Sequence, residues 1–221
     1  MKELVIVGAA IAAVAQAQPA APPPQPVTYI HAGALLDRPG EAAKGNSTIV
    51  VRGKSIAEVR SGFVAPEAGA QVIDLRDRTV LPGLIDMHVH FYSTGYPLQA
   101  RLNATGRDLE DGFVDAVRAA RLTLDAGFTT VRDLGGEPRG IRALRDAIAR
   151  GEIAGPTIVN AGEMISVTAG HGDANGLKRE YAHVEREGST ALCNGADDCR
   201  RATRDQIFMG AEVIKFAASG G

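Results

Sequence analysis

The chain has 221 residues, of which 45% are apolar and 23% charged, and its formal net charge is −2. This balance is typical of a globular protein and does not indicate nucleic-acid binding, which needs a basic excess. No apolar run reaches the roughly 18 residues that span a membrane, so no membrane partner is expected.

The N-terminal residues differ in composition from the rest. Residues 1–17, MKELVIVGAAIAAVAQA, combine one lysine with an apolar stretch and end in Ala15-Gln16-Ala17. This layout predicts a secretory signal peptide with a small-residue cleavage site, the alternatives being a buried helix or a disordered tail. Residues 18–26 are proline-rich and predict an extended linker. We therefore expect an exported protein, either periplasmic or secreted.

Residues 27–81 predict a small β unit. The segments VTYIHAGALL, STIVVRGKSIAEVRSG and AQVIDLRDRTVL are rich in Val, Ile and Thr and are interrupted by Gly, Asp and Arg. The pair Gly53-Lys54 stands between STIVV and SIAEV, which predicts a hairpin turn.

From residue 82 onward, predicted strands and helices alternate. The strands are GLIDMHVHF, FTTVRDLGG, PTIVNAG and VIKFAASGG, and the helices lie within DLEDGFVDAVRAARLTLDAG, PRGIRALRDAIARGE and ADDCRRATRDQIFMGAE. Residues 161–195 predict a long polar, glycine-rich loop. The alternation predicts a parallel sheet with right-handed crossovers.

The first of these strands carries two closely spaced histidines. In VLPGLIDMHVHF, His88 and His90 are one residue apart. Side chains at i and i+2 leave a strand on the same face, so both imidazoles can reach one metal ion. The apolar run from Leu81 to Met87, broken only by Asp86, predicts a strand buried on both faces. The alternative is a solvated strand face, but buried imidazoles need polar partners, which favours metal ligands.

The chain contains two cysteines, Cys193 and Cys199, within ALCNGADDCR. In an oxidising compartment they could close a short loop, and the Asn194-Gly195 pair between them favours a turn. Export therefore predicts a disulfide, whereas a cytosolic location would favour two free thiols.

Five segments, in order, resemble the amidohydrolase superfamily. VLPGLIDMHVHF resembles its first barrel strand, residues 27–81 resemble the β-sandwich beside the barrel, and GFTTVRDLGG, TAGHG and GAEVIKFAASGG resemble the imidazolonepropionase-like and Xaa-Pro dipeptidase-like branch. The resemblance implies an α/β fold. Residues 82–221 would form the first four strands of a TIM (β/α)8 barrel, which takes about 250 residues, preceded by the N-terminal part of a β-sandwich.

The resemblance also implies a metal-dependent hydrolase. Such an enzyme would cleave a carbon–nitrogen bond in a cyclic amide or dipeptide-like small molecule by attack of a metal-bound hydroxide. His88, His90 and Lys215 match the metal ligands, Lys215 being the position carboxylated by CO₂ so that its carbamate bridges two ions. The apolar neighbours in EVIKF predict a buried lysine rather than one at the surface. We expect one or two zinc ions, although iron, nickel and manganese also suit this ligand set.

Other residues depart from the family pattern or have weaker roles. The family's further ligands, a His on the fifth strand, a His on the sixth and a proton-shuttling Asp on the eighth, have no match here. His171 resembles the loop over the substrate and is expected to contact it. His183 is expected at the surface. Arg132 and Asp133 end the second strand and predict a structural ion pair rather than a substrate contact.

Three functional hypotheses follow from these observations. The first is the N-terminal half of an exported amidohydrolase, inactive by itself. The second is a catalytically inactive truncated remnant or a weak metal-binding protein. The third is a homodimer in which two half barrels cover each other's open sheet edges. Further His and Asp codons downstream would support the first hypothesis.

Overall fold

The computed structural model describes residues 25–92, 106, 108–173 and 178–219, with the backbone alone at 181 and 183–185. The chain divides into two compact units, Met1–Pro82 and Gly83–Gly221. The predicted signal peptide, residues 1–17, lies outside the described residues. None of the helices in the described ranges is long and apolar enough to cross a membrane.

The first unit contains one mixed four-stranded sheet. Its order is β3-β2-β1-β4, with β1 parallel to β4 and the other neighbours antiparallel. The strands are β1 (Val27–Leu35), β2 (Ser47–Arg52), β3 (Ser55–Ser61) and β4 (Gln71–Val80).

Gly53 and Lys54 join β2 to β3, so the predicted hairpin is confirmed. Gly53 has φ +60°, a conformation that glycine adopts without a steric penalty. The sandwich expected from the sequence is not seen, because the described residues of this unit form a single sheet.

The second unit alternates parallel strands with helices. The strands form a sheet of order β5-β6-β7, and all pairs are parallel as predicted. The elements are β5 (Leu84–Val89), α1 (Leu109–Asp125), β6 (Phe128–Asp133), α2 (Pro138–Ala149), β7 (Thr157–Asn160), α3 (Arg179–Gly188) and α4 (Ala196–Phe208).

The core of this unit lies between the sheet and helices α1 and α2. Helix α1 presents Ala116 and Ala120, which are fully buried, and α2 presents Leu144. These residues pack on Val131 and Ile158 from β6 and β7. Burying such side chains stabilises the unit because it removes apolar surface from water.

Two elements differ from the sequence prediction. Helix α3 lies inside the segment predicted as a loop. The predicted fourth strand is not a regular strand. The backbone of residues 212–217 bonds to the end of β7 and the segment after it at only two described positions, Asn160 and Ile165. Between those two positions Gly162 has φ +67°. This takes the segment after β7 out of the extended conformation and interrupts the ladder of backbone hydrogen bonds.

Candidate metal centre

The end of β5 brings two imidazole nitrogens together. The Nε2 atoms of His88 and His90 lie 3.2 Å apart, and both residues are exposed. Their ring centroids are 5.1 Å apart and the ring planes are inclined by 62°. The i, i+2 spacing therefore places both side chains on one face, as expected for a strand.

One hydrogen bond holds the ring of His90, and another holds the backbone of His88. His90 Nδ1 lies 2.8 Å from the carbonyl oxygen of Gly135. A carbonyl can only accept, so this nitrogen carries the proton and Nε2 of the neutral ring keeps its lone pair. The backbone N–H of His88 donates to Asp86 Oδ1 at 3.0 Å, which fixes the chain just before the pair.

The geometry of the pair suits two ligands of one zinc ion. Zinc binds histidine nitrogen at about 2.0–2.1 Å, so two nitrogens in a tetrahedral site are about 3.3 Å apart. The observed Nε2–Nε2 separation of 3.2 Å agrees with that spacing. Within the described residues, no third His, Cys, Asp or Glu joins the pair to form a cluster that could hold a metal.

The surroundings of β5 differ from the prediction. Ile85 is 60% exposed and Met87 is 51% exposed, so the strand is not buried on both faces. The cause is its position, because β5 lies at the edge of its sheet.

Lys215 is also less enclosed than predicted. It is half-buried, and its apolar neighbours Ile214 and Phe216 are 36% and 64% exposed. Its carbonyl accepts a bond from the Ile165 N–H at 2.9 Å, which anchors the backbone of this segment. Its side chain makes no hydrogen bond or ion pair within the part of the chain that is described. The prediction of a buried lysine is therefore wrong, because the segment that carries Lys215 pairs with another described segment, at Ile165, on one side only.

Asp133 has a role that sequence reasoning missed. It is fully buried, and its carboxylate accepts N–H bonds from Phe91 at 2.9 Å and Gly135 at 3.2 Å. Burial raises the pKa of Asp133, against the opposing effect of those two bonds. The one sequence signal was its place at a strand end, just before Leu134-Gly135-Gly136.

The predicted ion pair between Arg132 and Asp133 is wrong. Arg132 Nε donates to the Met87 carbonyl at 2.9 Å, whereas Asp133 bonds to backbone N–H groups. Consecutive residues of a strand point to opposite faces, which keeps the two charges apart.

The remaining histidines lie elsewhere. His171 is exposed, in a turn where the neighbouring Gly172 N–H donates to Ser166 Oγ at 3.0 Å. No contact joins His171 to the histidine pair among the described side chains. The side chain of His183 lies outside the described set. In the first unit, His31 Nε2 lies 3.0 Å from the Val64 carbonyl oxygen.

Cys193 and Cys199 form a disulfide bond in the structure. Cys193 is buried and packs with Ile165 and Ala202. Its N–H donates to the Ser166 carbonyl at 2.9 Å. The disulfide therefore joins the start of α4 to Cys193, and the Cys193 N–H bond joins that segment to the loop that carries His171.

Comparison with known proteins identifies relatives, some of which cover 88% of the chain. The chain is 33% identical over 217 residues to an ochratoxinase from Aspergillus niger, covering 88% of this chain and 42% of that enzyme. It is 33% identical over 105 residues to a dihydroorotase from Anaeromyxobacter dehalogenans, covering 48% of this chain and 21% of that protein.

Solved structures show the same relationship. A Xaa-Pro dipeptidase with bound methionine in its active site superposes with a TM-score of 0.78 at 36% identity, covering 88% of this chain and 48% of that one. The A. niger ochratoxinase gives a TM-score of 0.71 at 30% identity, covering 89% and 47%. The chain thus spans about half the length of these relatives, or less.

The family comparison matches the C-terminal part of the chain. The amidohydrolase family matches residues 79–221, which include both histidines and Lys215. This match covers more than half of the chain, and the relatives agree with it. The chain belongs to the amidohydrolase family.

Proposed function

We propose that this chain contributes to a metal-dependent hydrolase that cleaves a carbon–nitrogen bond in a cyclic amide or dipeptide-like small molecule. The observation that carries the proposal is the pair of Nε2 atoms at 3.2 Å, one of them oriented by the Gly135 carbonyl. Family membership and the named hydrolase relatives support the reaction class. Their TM-scores support a second unit that is part of a TIM barrel.

The residues of the site have distinct proposed roles. His88 and His90 hold a divalent cation, with zinc as the expected ion. Bound there, the cation would polarise the scissile carbonyl and lower the pKa of water. Lys215, as its carbamate, is the proposed third ligand, and its half-buried position leaves the amine accessible to CO₂. His171 is the proposed substrate contact, since it lies exposed on a turn.

A second candidate function is metal binding without turnover. A catalytic zinc needs about three protein ligands and one open position. The described residues supply two converging imidazoles and no third His, Cys, Asp or Glu beside them. This count favours weak binding by the chain when it is isolated.

A competition titration with a chromophoric chelator tests the metal site. The wild-type chain should take up zinc, and His88→Ala and His90→Ala should each weaken binding at least tenfold. His31→Ala is the matched control, because His31 lies in the other unit and bonds to the Val64 carbonyl. Equal affinities in all four proteins would contradict the proposal.

We also propose that the chain is exported, since residues 1–17 have a signal-peptide layout and the structure contains a disulfide. Export explains how that bond would persist, because thiols are kept reduced in the cytosol. Intact-mass analysis of exported protein should find residues 1–17 missing. A retained Met1 would contradict this.

A further inference from the structure

We propose that Asp133 is a positioning residue for His90: its buried carboxylate fixes Phe91 and Gly135, so that the Gly135 carbonyl holds the His90 proton on Nδ1 and leaves Nε2 free for a metal. This inference rests on the proposed function only for the identity of the metal ligand. The positioning itself concerns the metal-free chain.

Asp133 closes a circuit of hydrogen bonds around His90. One carboxylate oxygen of Asp133 accepts from the Phe91 N–H at 2.9 Å, and the other accepts from the Gly135 N–H at 3.2 Å. The Gly135 carbonyl lies 2.8 Å from His90 Nδ1. His90 and Phe91 are joined covalently, so the circuit returns to its starting point. The carboxylate thus sets the distance between the histidine and its own acceptor.

The connection spans two separate strand ends. Phe91 follows β5, and Gly135 follows β6. Phe91 and Asp133 are 42 residues apart in sequence. The Leu134 N–H donates to the Val89 carbonyl at 3.0 Å, a second tie between the same strand ends. Without Asp133, this bond, the Arg132 Nε bond to the Met87 carbonyl and the strand pairing would still join β5 to β6, but none of them involves Gly135 or His90 directly.

A carboxylate is the side chain that this position requires. Both partners of Asp133 are donors, and an ionised carboxylate offers acceptors on both oxygens. An asparagine could accept one of the two bonds but would present its NH₂ group to the other N–H. Asp133→Asn therefore breaks half of the circuit with little change in volume.

Asn160 provides a matched control on the next strand. It pairs in register with Asp133, is equally buried, and donates through Nδ2 to the Gly210 carbonyl at 3.1 Å. Its side chain has no bond to Phe91, Gly135 or His90. Asn160→Ala therefore removes a buried polar group at the same level of the sheet while leaving the circuit intact.

The test combines nitrogen NMR of the histidine rings with zinc titration of the full chain. In the metal-free wild type, at a pH where His90 is neutral, the ring should be protonated on Nδ1. Asp133→Asn and Asp133→Ala should give mixed tautomers and zinc affinity about 10–100-fold weaker. Asn160→Ala should lower Tm but leave the His90 tautomer and zinc affinity as in the wild type.

The outcomes separate this inference from the proposed function. An Nε2-protonated His90 in the wild type would overturn the positioning role, as would an equal tautomer change in Asn160→Ala. If the tautomer depends on Asp133 but the wild type binds no zinc, the positioning role stands and the metal function fails. If the Asp133 variants do not fold, the wild type still decides, because a missing scalar coupling between the Phe91 nitrogen and the Asp133 carboxyl carbon would overturn the circuit.

Discussion

Removing the Cys193–Cys199 disulfide should destabilise the second unit by about 2 kcal/mol. The bond joins residues with a sequence separation of 6. For so short a loop, the chain-entropy relation gives about 2 kcal/mol at 25 °C from constraint of the unfolded state. The test variant is Cys193→Ala/Cys199→Ala, which avoids burying a new polar group.

Loss of the disulfide should also loosen the backbone of the segment that contains Cys193. The Cys193 N–H donates to the Ser166 carbonyl at 2.9 Å, and Asn194 Nδ2 donates to Thr168 Oγ1 at 2.8 Å. Both bonds join the disulfide segment to the loop that carries His171. Loss of the disulfide should therefore speed hydrogen exchange at the backbone amide of position 193 more than at amides of α1.

Urea unfolding followed by circular dichroism supplies the assay. The double variant and the wild type treated with a reductant should lose the same stability. A loss below about 0.5 kcal/mol in both, a size typical of neutral surface substitutions, would show that the disulfide does not stabilise the unit. Unchanged hydrogen exchange at the backbone amide of position 193 would show that the disulfide does not hold this segment to the loop.

Three further predictions follow. Leu144→Ala should cost about 2–5 kcal/mol in urea unfolding, because Leu144 is fully buried, while Leu122→Ala, at a side chain that is 57% exposed, should cost far less. Asp74 has its pKa lowered to about 2 by its hydrogen bond to Arg76, so any stability from this pair is present above about pH 4 and is lost as the pH falls through about 2. Carboxyl NMR should show the Asp74 pKa rising in Arg76→Ala, and an unchanged value would contradict the assignment. The isolated chain should not hydrolyse cyclic amides or Xaa-Pro dipeptides even with zinc and bicarbonate, and turnover abolished by His88→Ala would show that two imidazoles and Lys215 suffice.

Local sequence patterns predicted most regular elements of the fold. The Gly53-Lys54 turn and the helix within DLEDGFVDAVRAARLTLDAG depend on neighbours in sequence, and both predictions agree with the structure. Helix α3 was missed because its segment is polar and follows a glycine-rich stretch, so it lacked an apolar stripe.

Features that depend on distant residues were harder to predict. The HxH spacing was enough to place His88 and His90 on one face, but the partner of His90 is a backbone carbonyl 45 residues away. Backbone acceptors carry no residue-type signal. The exposure of Ile85 and Phe216 likewise depends on which elements cover them, and a single strand's composition does not contain that information.

Zinc X-ray absorption spectroscopy reports whether His88 and His90 bind one metal ion together. In the chain loaded with one equivalent of zinc, the spectrum should show scattering from two imidazoles, with Zn–N distances of about 2.0–2.1 Å. His88→Ala should reduce that scattering, and His31→Ala should leave it unchanged. A spectrum without imidazole scattering, or one that is the same in His88→Ala, would show that the two histidines do not bind the ion together.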